Sequence, residues 1–227
     1  MTRNLIMRFA LDQGVRLVGL GVMLFWTAGS IAWWPGWAFV VLSAAWVIAT
    51  AVVIVRNDPH LLAERISPPK GAKRWDVVLM STHGLLQMAI YVVGGLDHRF
   101  GWTSGVPIAA QLAALVACFL GYAVTVWATS CNRFFSLIVR IQTDRGHAVA
   151  TGGPYRLVRH PAYAGAILLG VSLGLLLGSW WALLLGLLDS LLMFLRTYLE
   201  DRDLQRELPG YAEYARRVRY RLLPGIW

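Results

Sequence analysis

The run Arg159-His160-Pro161-Ala162-Tyr163 puts a guanidinium, an imidazole and a phenol within five residues. Proline fits the first turn of a helix, where its missing N–H costs no hydrogen bond, so Pro161 marks a helix start. His160 then falls near the N-cap and Tyr163 about one turn in. A helix N-terminus presents free N–H groups and partial positive charge, which suit a carboxylate or a phosphate. The same side chains would serve equally as an interfacial anchor that solvates a helix end. Further along, Arg196 and Glu200 are four residues apart and share a helical face. On an exposed surface such a pair contributes only about a few tenths of a kcal/mol.

Gly178-Ser179 decides how these two groups relate. It separates the apolar stretches 162–178 and 180–199 by a turn so short that the two must form an antiparallel hairpin. Helices of similar length joined in this way have adjacent far ends. Arg196 and Glu200 are therefore expected beside His160 and Tyr163. Together they could hold a zwitterionic or polyhydroxyl ligand. The carboxylate would take ribose hydroxyls or an ammonium, and the helix N–H groups would take a carboxylate.

The elements that must position these residues are membrane helices. The chain of 227 residues is 57% hydrophobic and 15% charged, with mean hydropathy +0.56. That is too apolar for an ordinary soluble domain and fits a polytopic membrane protein. Six apolar stretches are visible, at 15–34, 36–55, 76–96, 106–128, 162–178 and 180–199. In lipid each must satisfy its own backbone, so each is expected to be helical. The expected fold is an all-α polytopic transmembrane bundle of about six helices. It forms a single membrane domain, with N-terminal helices over 1–128 and a C-terminal functional part over 129–227. A tight turn is expected at 34–36. Arg3, Arg8 and Arg16 precede an apolar run long enough to span, which reads as a retained first helix rather than a removed signal.

Twenty of the 21 Lys and Arg residues fall on one side of this arrangement, and Arg99 alone on the other. By the positive-inside rule both termini face the cytoplasm, and an even helix count agrees. The net charge of +9 then reflects topology and attraction to anionic membrane lipids. No basic run interleaved with aromatics supports nucleic-acid binding. Trp33, Trp34, Trp37, Trp102, Trp180 and Trp181 fall on the opposite side as an interfacial belt. Cys118 and Cys131 form no short-spaced motif and the five histidines no His-x₃-His pair, so no metal is expected. Residues 58–73 are too polar to span and suggest a short helix at 60–66 followed by a proline-rich loop. Residues 129–160 form the longest polar stretch, and long structured loops tend to carry sites.

Gly153-Pro154-Tyr155, then Arg159-His160-Pro161-Ala162-Tyr163-Ala164-Gly165, a hairpin, then Arg196 and Glu200-Asp201, resembles the isoprenylcysteine carboxyl methyltransferase-like family. The resemblance runs from about Gln142 to the C-terminus. It implies an integral-membrane methyltransferase with S-adenosylmethionine as cofactor, bound in a cytoplasmic C-terminal pocket. Gln142, His147, Ala148, Val149, Ala150, Tyr155, His160, Pro161, Ala162, Tyr163 and Glu200 would surround that cofactor. Arg196 would be the catalytic residue facing the substrate. The family often has Glu-Glu where this chain has Glu200-Asp201. The implied reaction is direct displacement on a reactive methyl sulfonium, so alignment and water exclusion would matter more than acid–base help. Arg196 could hold a substrate carboxylate through two hydrogen bonds. The acceptor is expected to be lipophilic or small and apolar, with a carboxylate, amine or thiol as the methylated group.

Other residues have two readings. Asp189 lies mid-membrane, where an acid is costly, and suits either a substrate tunnel or an inter-helix hydrogen bond. His83 and Gln87, four apart, read as polar glue between helices. Asn132-Arg133-Phe134-Phe135 reads as an interfacial segment, with a substrate role as the alternative. Glu64 and Arg65 read as a solvated face. The tail 211–227 would dock on the bundle and headgroups, or close over the cofactor. Its ending is also similar to the tails of membrane sterol reductases, which leaves an NADPH-dependent reductase as an alternative function. A non-catalytic membrane protein is a third.

Overall fold

The computed structural model describes residues 2–57, 65, 71–103 and 105–227, and among the described residues it is helical with no strand. The helices are α1 Thr2–Ala28, α2 Trp34–Asn57, α3 Arg74–Phe100, α4 Ile108–Ser130, α5 Pro161–Leu176, α6 Trp180–Glu207 and α7 Tyr211–Arg217. Five of them, α1 to α4 and α6, are long and apolar enough to cross a membrane. The chain is thus a polytopic membrane helical bundle. The expected sixth span, α5, has only 16 residues. It rises about 24 Å, against a hydrocarbon layer of about 30 Å.

Two boundaries differ from the sequence expectation. Helix α1 starts at Thr2, not near residue 15. Arg16 Nε donates to Asp12 Oδ2 at 2.8 Å, one turn back, so these charges sit along the helix surface without ending it. The turn to α2 lies at 29–33 rather than 34–36, and Pro35 occupies the first turn of α2, where proline is tolerated. Of the expected tryptophan belt, Trp34, Trp37, Trp102, Trp180 and Trp181 are exposed, whereas Trp33 is buried and stacks on His98 at 5.1 Å. The helix expected at 60–66 and Glu64 lie, Arg65 apart, outside the described residues. Arg65 sits 5.5 Å from the Phe135 ring.

Helix α5 packs between α4 and α6, and α3 packs on α6 and α1. Leu24, Phe39, Ile90, Cys118, Leu173, Leu176 and Leu177 form the main apolar core. The α5–α6 hairpin closes through Gly178, at φ +77°, where a side chain would be strained. Ser179 caps α6, its Oγ accepting from the Ala182 N–H at 3.1 Å. At Gly174 the two helices touch backbone to backbone, and a Cβ there would lie 2.1 Å from Leu183 N.

A polar seam joins α3 and α6. Asp76, His83, Ile90 and Asp97 recur every seven residues on α3, as do Ala182, Asp189, Arg196 and Asp203 on α6. A seven-residue repeat keeps one stripe of each helix facing the other. Asp97 accepts from Ser179 and Thr103 at one end of the seam. In its middle, Asp189 is bound to His83 Nδ1 at 2.7 Å and to Gln87 Nε2 at 2.9 Å. Asp189 and the His83–Gln87 pair are therefore one inter-helix network. At the other end Lys73 Nζ and Trp75 Nε1 donate to Asp203 Oδ2, at 2.8 and 3.3 Å.

Candidate functional site

At the open end of the hairpin, away from Gly178, the first turn of α5 faces the last turns of α6. His160 is the N-cap of α5 and Pro161 its first residue. The Tyr163 hydroxyl donates to Glu200 Oε2. The His160 and Tyr163 rings lie parallel within 6°, with centroids 5.7 Å apart. The neighbour of Glu200 has a different part. Asp201 is fully buried and accepts from Arg159 Nε and Nη2 at 2.7 and 2.9 Å, Arg221 Nε at 2.9 Å, Tyr211 at 3.0 Å and Gln205 at 2.8 Å. His160 Nε2 lies 3.3 Å from the same carboxylate.

The hub at Asp201 ties down the C-terminal segment. Arg159 Nη1 donates to the carbonyls of Val218 and Arg219 at 2.8 and 2.9 Å. The backbone N–H groups of Arg159 and His160 donate to the carbonyls of Tyr220 and Arg221, each at 2.9 Å. The tail thus docks on the bundle, with Trp227 against Phe194 at 5.7 Å. The Tyr214 hydroxyl reaches the Tyr155 carbonyl at 2.7 Å and pins α7 to the preceding loop.

That loop, between α4 and α5, is irregular except for two single 3₁₀ turns, Thr143–Arg145 and Gly153–Arg156. Its polar groups are paired internally. Gln142 is buried and its Nε2 donates to the Phe134 carbonyl at 2.7 Å. Its Oε1 accepts from Arg145 Nη1 at 3.0 Å, and its backbone N–H from the loop side reaches His147 Nδ1 at 3.3 Å. His147 leans on the Phe134 ring at 4.8 Å. Asn132 Nδ2 donates to the Tyr155 hydroxyl at 3.3 Å.

Loop, α5, α6 and α7 enclose one cavity. Its volume is about 90 Å³. Gln142, His147, Ala148, Val149, Ala150, Tyr155, His160, Ala162, Tyr163 and Glu200 all line it. Pro161 does not; it is buried at the start of α5. Arg196 does not line it either. Its guanidinium lies behind Tyr163, with Cζ 5.0 Å from the ring centroid.

Known proteins resemble this chain over the same region. A model of the isoprenylcysteine carboxyl methyltransferase family matches residues 112–206. Two rice proteins, each described as a probable protein-S-isoprenylcysteine O-methyltransferase, from Oryza sativa subsp. indica and subsp. japonica, are 26% identical over 129 residues. The match covers 56% of this chain and 67% of each relative. These likenesses link the chain, distantly and over part of its length, to that methyltransferase family. The matched residues include the cavity-lining parts of the loop, α5 and α6. They leave out α1 to α3, and with them Asp76.

Asp76 is the partner that the sequence did not offer for Arg196. Arg196 does not pair with Glu200, one turn along. Its Nε donates to Asp76 Oδ1 at 2.7 Å and its Nη2 to Asp76 Oδ2 at 3.3 Å, and both residues are buried. Nη2 also reaches the Leu137 carbonyl at 2.8 Å, and the Val139 N–H donates to Asp76 Oδ2 at 2.7 Å. Tyr211 and Tyr214, from the tail expected to dock on the bundle or close over the cofactor, also line the cavity, as do Leu204 and Leu208, which the sequence reading did not mark. Phe134, Phe135 and Asn132 line it too, so that segment is more than an interfacial anchor.

Burial lowers the His147 imidazole below its ordinary pKa, and nearby Arg140 and Arg145 lower it further. It is neutral at pH 7. Burial pushes the Tyr155, Tyr211 and Tyr214 hydroxyls up, so all three remain donors. The cavity therefore offers a carboxylate at Glu200, a neutral imidazole, phenol donors and flat aromatic faces beside small alanines.

Proposed function

We propose that this chain is a membrane-embedded methyltransferase that uses S-adenosylmethionine and methylates a lipophilic or small apolar acceptor. The observation that carries this reading is the Tyr163–Glu200 hydrogen bond across the open end of the hairpin. It joins the two helix ends into one cavity wall, which the loop residues complete. The wall suits the cofactor's parts. Glu200 can accept from ribose hydroxyls or an ammonium. Phe134 and His147 present faces for a purine, and Ala148 and Ala150 leave room beside them. The cavity of about 90 Å³ is smaller than the roughly 300–1,000 Å³ typical of ligand sites, so a cofactor would have to widen it on binding. The likeness to the two rice relatives supports the same chemistry.

Bound there, S-adenosylmethionine would supply a methyl group made electrophilic by a sulfonium. The protein's own contribution is alignment and exclusion of water. Glu200 fixes the Tyr163 hydroxyl, so the ring face stays in place. Arg159 and Asp201 hold Tyr211 and the tail against the cavity. Arg196 stands on the acceptor side of Tyr163 in this reading. The distribution of basic residues supports a cytoplasmic placement for both termini and the cavity.

Calorimetric titration of the detergent-purified chain with S-adenosylhomocysteine, and separately with NADPH, tests the proposal. Saturable heat with S-adenosylhomocysteine is expected. Binding of NADPH without any response to S-adenosylhomocysteine would overturn it in favour of a reductase.

A further inference from the structure

The segment 222–227 sits at a depth that its place in a basic tail does not suggest. Trp227 packs on Phe194 of α6, with ring centroids 5.7 Å apart. Counted from Trp180 at the start of α6, Phe194 lies about 21 Å along the helix axis. Trp180 and Trp181 are exposed, as tryptophans at a membrane boundary are. With a hydrocarbon layer of about 30 Å, Phe194 is then about 9 Å inside the opposite boundary. Tilting α6 brings it no nearer to that boundary. At the same level Leu191, Leu195 and Tyr198 form an exposed stripe along α6, a face that suits acyl chains. The segment lies beside this stripe, since the Arg221 guanidinium carbon is 6.0 Å from the Tyr198 ring.

The segment is built for such a place. Ile226 is 78% exposed and Leu223 48%, so its two largest aliphatic side chains point away from the protein. In lipid a backbone must satisfy its own polar groups. Here the N–H groups of Arg221, Leu222 and Leu223 all donate to the Trp227 carbonyl, at 2.8, 3.0 and 3.3 Å. Those of Ile226 and Trp227 donate to the Leu223 carbonyl at 3.2 and 3.3 Å, and Pro224 has no N–H to satisfy. Arg221 closes the polar side, with Nε on Asp201 at 2.9 Å and its guanidinium 4.9 Å from the Trp227 ring. Just before it, Arg216, Arg217 and Arg219 are exposed and suit headgroup phosphates.

We infer that residues 222–227 are a membrane anchor, inserted into the leaflet at the open end of the hairpin with Leu223 and Ile226 among the acyl chains. The N–H groups of Arg159 and His160 bind the carbonyls of Tyr220 and Arg221, so the anchor is tied directly to the start of α5. The inference does not depend on the methyltransferase reading.

The test measures depth with a nitroxide on the full chain, reconstituted in vesicles of phosphatidylcholine and phosphatidylglycerol. Cys131→Ala removes the accessible thiol, and Cys118 is buried. The label is placed at Ile226→Cys, with Leu195→Cys as the lipid-facing reference and Glu213→Cys, exposed on α7, as the aqueous one. Molecular oxygen collects in hydrocarbon, and a charged nickel chelate stays in water. At Ile226 the label is expected to collide more with oxygen than with the chelate, as at Leu195, and Glu213 should show the reverse order. Leu223→Cys repeats the measurement at a second position, where the same order as at Ile226 is expected. A label at Ile226 that reads like Glu213 overturns the inference. So does one that neither oxygen nor the chelate reaches, because another protein surface would then cover the segment.

Discussion

The two ends of the α5–α6 hairpin are built from the same pair of helices by opposite means. At the closed end, Gly174 lets backbones touch, Gly178 makes the turn, and Ser179 supplies a cap. Where Gly174 meets Leu183 the contact leaves no room for a ligand. At the open end the helices are bridged by long side chains: Tyr163 to Glu200, and Arg159 and His160 to Asp201. Small residues bring helices into direct contact, whereas charged and aromatic ones hold them apart and leave a lined space. Within one hairpin, the closed end provides rigidity and the open end provides a site.

The difference can be broken most severely at Asp201. Asp201→Ala leaves Arg159 as a buried cation without its counter-ion, a loss of about 3–5 kcal/mol. Thermal unfolding in detergent should show it, and trypsin should cut early at Arg216 and Arg217 as the tail comes free. Gly174→Ala attacks the closed end. Its methyl would meet the α6 backbone, so a loss of about 3 kcal/mol is expected from the same melting curves. If Gly174→Ala melts like the unmodified chain, the contrast between the ends is wrong. Glu200→Gln separates site from scaffold. Glu200 is only half-buried, so the melting point should hardly move. S-adenosylhomocysteine affinity should fall about tenfold by calorimetry. The smallest effect concerns pH. His147 is held neutral, with its pKa below the ordinary value of about 6.5. Its contribution to stability is present above that value and is lost as pH falls through the lowered one. A melting-temperature series across that acid range should decline more steeply in the unmodified chain than in His147→Gln.

The hairpin itself was legible because its signals are local. Pro161 marks a start, Gly178-Ser179 marks a turn, and antiparallel geometry carries Tyr163 to Glu200 without further information. Arg196 shows where local reading fails. The sequence offers Glu200 one turn away, but Asp76 lies 120 residues back on another helix. Burial makes the difference, since only a partner brought in by tertiary packing could reach a guanidinium facing α3. Asp189, His83 and Gln87 were each visible as costly polar residues in an apolar stretch. Their meeting was not, because it depends on how α3 and α6 are aligned. The first helix was misplaced for a related reason. Arg3, Arg8 and Arg16 read as a polar lead-in, whereas the helix runs through those turns.

The shortness of α5 has a geometric consequence for the bilayer. A helix of 16 residues falls about 6 Å, roughly one turn, short of the hydrocarbon thickness. With the closed end level with one face of the membrane, the mouth at His160 and Tyr163 is recessed below the other. Helix α5 lies between α4 and α6 with Leu168 its one exposed residue, so those longer helices rather than lipid flank the shortfall.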